Sequence, residues 1–336
     1  MNSGSFKIGK GLGLKLLVLS LFTRGTVLAL LCFLALITEY LNFKVAHNNA
    51  RLVELSAGKS TRIFYEFVDK TMGWFGDPLE IAQTNAGMTW SIRLGGVPFT
   101  DPISALSILV KRHRLETGFA LGLIVPLGLA AIFGRVFCAY ICPASLLFFS
   151  ISRLRRLLIR WFYFPDWQMD RGFSWGILLG GLGLALWTGH GIWSLVLPYF
   201  ALGQTIFHGL ALGTLSISVW SLVVFSALDL FFGKQFTCRY VCPTGRLLGA
   251  IGSKSALVVH RDASRCHESC HACTEICPLK VDPKRDQHHD CSLCGECLAV
   301  CPTQCLTVDL RRSLRTSNKD FGTKGSLNSG QNSTGA

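Results

Sequence analysis

Hydrophobic and polar positions in this chain segregate by whole segments. From Gly172 to Leu228 there is no Asp, Glu, Lys or Arg, which leaves room for two apolar crossings of about 20 residues each and a short polar connection. Similar runs occur earlier, so the pattern predicts four membrane spans, near residues 26–43, 118–133, 173–195 and 215–232. The stretch from Leu14 to Phe22 is too short to cross and reads as a lead-in to the first span. A cleaved signal is the competing reading of a basic, apolar start. Against it, no small-x-small site follows the apolar run, and Leu31 precedes Cys32 where lipoprotein processing needs a small residue.

The charges sort to one side of these spans. Residues 1–25 carry Lys7, Lys10, Lys15 and Arg24 with no acid, and the second-to-third connection carries Arg135, Arg153, Arg155, Arg156, Arg160 and Arg171 against Asp166 and Asp170. Lys234, Arg239 and Arg246 follow the last span. The positive-inside rule places these segments, and with them both termini, in the cytoplasm. The mixed-charge stretch 46–117 is then an external loop, as is the uncharged turn holding His190 and His208. Residues 313–336, rich in Ser, Gly, Asn and Thr, are expected to be disordered. Composition agrees with a membrane chain: of 336 residues 50% are hydrophobic and 16% charged, against about a quarter charged in soluble domains. The net charge of +13 raises nucleic acid as a partner. That reading is set aside, because the cations border spans where anionic lipid explains them and no nucleic-acid module is visible.

Nine of the fourteen cysteines fall between Cys266 and Cys305. Cys291, Cys294, Cys297 and Cys301-Pro302 have the bacterial ferredoxin spacing, in which three close thiolates wrap one cubane and the fourth reaches the other. A disulfide framework belongs to small secreted domains, and zinc sites split into separated pairs. The preceding quartet, Cys266, Cys270, Cys273 and Cys277-Pro278, has one extra residue after its first member. The crossed assignment is Cys266, Cys270, Cys273 and Cys301 for one [4Fe-4S] cluster and Cys291, Cys294, Cys297 and Cys277 for the other. Cys305 is left over and reads as a spare thiol.

An internal repeat joins the ends of two spans. Phe133-Gly-Arg-Val-Phe-Cys138-Ala-Tyr-Ile-Cys142-Pro143 recurs as Phe232-Gly-Lys-Gln-Phe-Thr-Cys238-Arg-Tyr-Val-Cys242-Pro243. In helical form each pair of thiols would lie on one face, a turn apart. Four such thiols could hold a metal or cluster, form a redox pair, dock a partner or simply pack.

With Gly96-Val-Pro-Phe-Thr-Asp-Pro102, Leu248-Gly-Ala-Ile-Gly-Ser-Lys254, the paired Cys-x3-Cys-Pro motifs and the terminal quartets, residues 96–310 resemble the NapH-type ferredoxin-like membrane proteins. That group includes the quinol-dehydrogenase membrane component of periplasmic nitrate reductase systems, with relatives in methylamine utilisation and nitrous oxide reduction. The resemblance implies four spans in the bacterial inner membrane, two [4Fe-4S] clusters, and electron flow from a quinol pool to a periplasmic iron–sulfur or cytochrome c partner. It also implies a role for Cys138, Cys142, Cys238 and Cys242. The segment between Phe43 and Gly96 matches no pattern of the group.

The expected architecture is an all-α polytopic membrane domain at 26–253, with about four transmembrane helices in two similar hairpins, followed by a small α+β bacterial-type 2[4Fe-4S] ferredoxin domain at 254–312. The expected function is membrane-bound electron transfer from quinol. A maturation or activation factor for a periplasmic redox enzyme and an iron–sulfur redox sensor are the alternatives. His190, Tyr199, Gln204 and His208 are polar groups that a quinone carbonyl could use, though interfacial anchoring explains them too. No histidine lies mid-span to ligate a membrane haem, and His267, His271, His288 and His289 beside the clusters read as solvated.

Overall fold

Apolar runs become helices in this protein, and the breaks between them fall at glycine and proline. The computed structural model describes residues 10–47, 59–85, 87–89, 91–163, 165–188, 192–211, 214–267, 269–285 and 290–311. His190, His288, His289 and the tail 313–336 lie outside the described residues. The first helix, α1 (Lys10–His47), absorbs the lead-in and the first span into one rod. Its segment Gly11–Leu41, 31 residues of high hydropathy, is long and apolar enough to cross a membrane.

The segment expected as an external loop is structured. It holds α2 (Lys59–Met72), α3 (Pro78–Thr84), a meander of β1 (Gly87–Met88), β2 (Ser91–Leu94) and β3 (Val97–Thr100), then α4 (Pro102–Arg112). The fold is therefore mostly helical, not all-α as expected before residue 254. The cause was visible in the alternation Ile92, Leu94, Val97 and Phe99 around Gly95-Gly96, whose φ values of 56° and 81° make the primed turn that suits a tight hairpin. The hairpin pairs Ile92 with Phe99 and Leu94 with Val97. Asp101 then caps α4, its carboxylate accepting from the Ser104 amide at 2.8 Å with Pro102 in the first turn. Under this region, Ile37, Tyr40 and Ala82 form a small core joined by Val68 and Met72.

Three further apolar helices stand where spans were expected: α5 (Thr117–Phe133) of 17 residues, α8 (Arg171–Thr188) of 18 and α11 (Ser218–Phe231) of 14. They are shorter than the ~20 residues of a typical crossing, so among the described residues α1 alone is long and apolar enough to cross a membrane. Between α5 and α8 lie α6 (Val136–Tyr140) and α7 (Ala144–Leu158). The uncharged turn before α11 contains two more helices, α9 (Trp193–Val196) and α10 (Pro198–Ala211). Trp193 is fully buried and donates its indole N–H to Ser107 Oγ at 2.5 Å, which explains why this uncharged stretch folds inward.

The chain divides into two compact units. The larger comprises Leu21–Gly128 and Tyr140–Leu247; in it α11 packs on α10 and α7, and α4 packs on α8. The smaller comprises Met1–Ser20, Leu129–Ala139 and Leu248–Ala336. After α12 (Pro243–Ile251), which runs into it, this smaller unit contains β4 (Leu257–Arg261), α13 (Ala272–Ile276), α14 (Glu296–Val300) and β5 (Leu306–Leu310). It is thus more than the 254–312 ferredoxin segment, because the start of α1 and the end of α5 pack into it.

Those joins depend on missing side chains. A Cβ at Gly252 would fall 2.4 Å from the Gly134 Cα, and one at Gly13 only 2.5 Å from the Ala299 amide nitrogen. A backbone neighbour cannot swing aside, so Gly13→Ala is expected to cost about 1–3 kcal/mol and to lower the thermal midpoint of the detergent-solubilised protein. Gly11, two residues earlier, has nothing within 4 Å of the same position. Gly11→Ala should leave the midpoint nearly unchanged.

Candidate functional site

The smaller unit folds the two cysteine quartets into one frame. β4 and β5 pair antiparallel, with Leu257 opposite Leu310 and Arg261 opposite Leu306, so the strand leading into the first quartet lies beside the strand leaving the second. Each quartet then follows the same path: a loop with the early thiols, a short helix, and a final cysteine in extended conformation. Cys277 has φ −58° and ψ 122°, Cys301 φ −58° and ψ 115°. Pro278 and Pro302 impose this, since a proline ring clashes with a helical residue before it.

The extended turn takes each final thiol out of its own quartet. One cavity is lined by Cys266, Cys270, Cys273 and Cys301, together with Cys305. The other is lined by Cys277, Cys291, Cys294 and Cys297 against Val259, Leu279, Val281 and Leu293. Backbone amides face two of the sulfurs, Val281 N–H on Cys277 Sγ at 3.4 Å and Leu293 N–H on Cys291 Sγ at 3.5 Å. Left-handed Lys280 (φ 48°) and Leu293 (φ 54°) curl the chain to bring those amides round. Leu293, Leu298 and Leu306 close an apolar core behind the thiols.

Burial raises the thiols of the second cavity, Cys277 and Cys291 to about 11 and Cys294 to about 12, and it pushes Cys297 up as well. Bare, they are neutral at pH 7. Among the described residues no trio of His, Cys, Asp or Glu converges on a single-ion position; the thiols instead ring two cavities. A thiol-rich, carboxylate-free lining with amides turned to sulfur fits an iron–sulfur cluster, which in such a place supplies one-electron transfer.

Three neighbours of this site were not read from the sequence. Cys305 is buried, and its Sγ lies 3.5 Å from that of Cys301. Arg135, by sequence one of the cations of the second-to-third connection, is 4% exposed and pairs with Asp290 at 3.3 Å, where its charge is felt by Cys291. Leu16, from the supposed lead-in, packs on the core of the unit. His267 lines the first cavity, and His271 is exposed at the start of α13.

The Cys-x3-Cys-Pro motifs depart from expectation. Neither pair lies on one helical face, because α6 ends at Tyr140 before Cys142, and Cys242 is extended (ψ 109°) after a π-helical turn at Thr237–Val241. The cause is again the following proline, Pro143 or Pro243. Cys138 belongs to the smaller unit, and Cys142, Cys238 and Cys242 to the larger.

Cys242 of the larger unit has polar company. The Tyr199 hydroxyl, within electrostatic reach of Cys242, donates to the Asp101 carboxylate and meets Thr244 Oγ1 at 2.8 Å. All three residues are buried, so Tyr199 is not an interfacial anchor. Gln204 and His208 lie elsewhere on α10, one turn apart and half-buried. Beyond Asp101, Ser104 and Ser107 form the floor of a cavity of about 350 Å³ walled by Ile108 and Phe119, with Lys111, Arg112 and Arg114 at its rim.

Comparison with known proteins places this arrangement. A family model described as a 4Fe-4S dicluster domain matches residues 234–319. The chain is 29% identical over 225 residues to the ferredoxin-type protein NapH of Haemophilus influenzae, covering 63% of this chain and 75% of the relative. It is similar to the NapH-type ferredoxin-like proteins. To NapH of Escherichia coli it is 28% identical over 251 residues, covering 71% of the chain and 83% of the relative. To the methylamine utilization ferredoxin-type protein MauN of Paracoccus denitrificans it is 30% identical over 190 residues, 55% of the chain and 63% of the relative. No solved structure matches. The dicluster match and the NapH and MauN relatives make the chain an iron–sulfur electron-transfer protein.

Ligation requires thiolates, and burial favours the protonated thiols. Iron and sulfide uptake by the apoprotein should therefore rise with pH from about 7 to 9 and fall on acidification, checked by labile-sulfide assay after anaerobic reconstitution at each pH.

Proposed function

We propose that this chain is a membrane-bound subunit that takes electrons from the quinol pool and passes them to a periplasmic iron–sulfur or cytochrome c partner. Two [4Fe-4S] clusters would be held, one by Cys266, Cys270, Cys273 and Cys301, the other by Cys291, Cys294, Cys297 and Cys277. The observation that carries the reading is the exchange of final thiols between quartets, which builds two neighbouring thiol cavities from one short segment. A quinol gives up two electrons and a cubane takes one, so paired one-electron centres suit it as donor.

A multi-pass setting in the bacterial inner membrane is supported by exposed apolar faces: Leu121, Ile124 and Ile132 on α5, Leu179 and Trp187 on α8, and Trp220, Val223 and Val224 on α11. Such surface is costly in water and favourable in lipid. Cytoplasmic termini are supported by exposed Arg153, Arg156 and Arg160. Arg135 and Arg155 count for less, since both are buried near carboxylates. Quinol oxidation also releases protons. The buried chain Asp101–Tyr199–Thr244 and the hydroxyl-floored cavity beside Asp101 supply acceptor chemistry for such a ligand.

A second reading, a maturation or activation factor for a periplasmic redox enzyme, draws on the similarity to MauN, which matches that to NapH in identity. Quinol decides between them. Anaerobic membranes given a reduced menaquinol or ubiquinol analogue should develop the EPR signal of reduced clusters; a signal that appears with dithionite but not with quinol would remove the quinol role. Purified protein should contain about eight iron and eight labile sulfide per chain, and zinc without sulfide would end the cluster reading altogether. Arg135→Met should shift the midpoint potential of the Cys291 cluster to more negative values, because a buried cation favours the reduced, more negative cluster. A redox titration followed by EPR checks the sign.

A further inference from the structure

The two thiol cavities are unequal in the number of thiols. The second is lined by four, as many as a cubane binds, whereas the first is lined by five. Two of the five, Cys266 and Cys305, have reasons to compete for one position. Cys266 stands out of register, with three residues separating it from Cys270 where the regular run has two. Its side chain is half-buried and its sulfur lies 3.7 Å from the carbonyl of its neighbour His267. Cys305 is 4% exposed and part of the apolar core. Its backbone is held in place, the Cys305 carbonyl accepting from the Asp262 amide at 2.8 Å, and left-handed Gln304 (φ 51°) precedes it. Its sulfur lies 3.5 Å from that of Cys301, and it lines the same cavity as Cys266.

We propose that Cys305 is an alternative ligand for the cluster of the first cavity and can take the place of Cys266. This rests on the cluster reading given above. Exchange is a balanced substitution in which the Cys305 sulfur forms a bond to iron as the Cys266 sulfur gives one up. The proton leaves the Cys305 thiol and is taken up by the released Cys266 thiolate, and no electron moves. Both residues already line the one cavity, so the exchange stays within it. The first cavity would then keep its cluster when Cys266 is oxidised or alkylated, while the second has no substitute for any of its four.

The test uses the full-length protein, purified anaerobically in detergent, with iron and labile sulfide assayed and EPR recorded after dithionite reduction. Cys266→Ala alone and Cys305→Ala alone should each retain the wild-type iron content of about eight per chain. The double variant should fall to half. Cys294→Ala should also fall to half, as the control for a cavity without a spare. The persisting signal of the second cluster reports that the double variant is folded. A halving in either single variant, or full iron in the double variant, would overturn the proposal. Wild-type protein devoid of labile sulfide would instead refute the cluster reading on which it rests.

Discussion

A proline following the last cysteine of each quartet forces that cysteine out of helical conformation, and the cluster-bearing unit is built around the consequence. Had Cys277 and Cys301 continued α13 and α14, each thiol would have stayed with its own quartet. Extended, each lines the cavity of the other quartet. Neither half of the unit then completes a site alone, so β4 and β5, which close the two ends against each other, serve both cavities at once. Burial that raises the thiols of the second cavity also disfavours free thiolates there.

The same unit draws in segments that the sequence allots to the membrane region. Besides the glycine joins at Gly13 and Gly252, the Ala256 amide donates to the Ile132 carbonyl at 2.8 Å, and the Arg311 guanidinium donates to the Ser253 carbonyl at 2.8 Å. Arg135 reaches Asp290, the residue before Cys291. A ferredoxin segment on a flexible leash would need none of these contacts. Here the cavities share one compact unit with the end of α5 and the start of α1.

What could be read from the sequence was set by local chemistry. Proline and cysteine spacing carry their meaning in the chain itself, and so the thiol groupings were legible, as were the positions of α1, α5, α8 and α11. The sheet of β1 to β3 was legible as well, in Gly95-Gly96 between alternating apolar residues, but length and mixed charge made the segment look like a loop. Cys305, Arg135 and the Asp101–Tyr199–Thr244 chain were not legible, since their roles depend on residues far away: Cys266, Asp290, and a contact between the starts of α4, α10 and α12. Nor did the uncharged stretch from Gly172 to Leu228 reveal its extra helices. Hydropathy counts apolar residues without regard to Pro198 or to the burial of Trp193.

Two places depart by one residue from a regular spacing, and burial explains why they are accommodated differently. In the second Cys-x3-Cys-Pro motif the additional Thr237 is fully buried, where an unpaired amide would cost about 1–3 kcal/mol. The chain absorbs it as a π-helical turn, Cys242 N–H to Thr237 carbonyl at 2.8 Å, with the Thr237 amide on Asp229 at 2.7 Å and its hydroxyl on the Phe225 carbonyl at 3.2 Å. The added residue after Cys266 lies in a more open loop, closed by the Cys270 amide on the His267 carbonyl at 3.2 Å, where water can satisfy what the turn leaves over. A buried insertion must be met by dedicated partners such as Asp229, whereas an exposed one can be tolerated provided the ligand it displaces has a neighbour. Cys305 is that neighbour. The irregular quartet and the fifth thiol are therefore better understood together, as one loosened loop and the buried sulfur beside it.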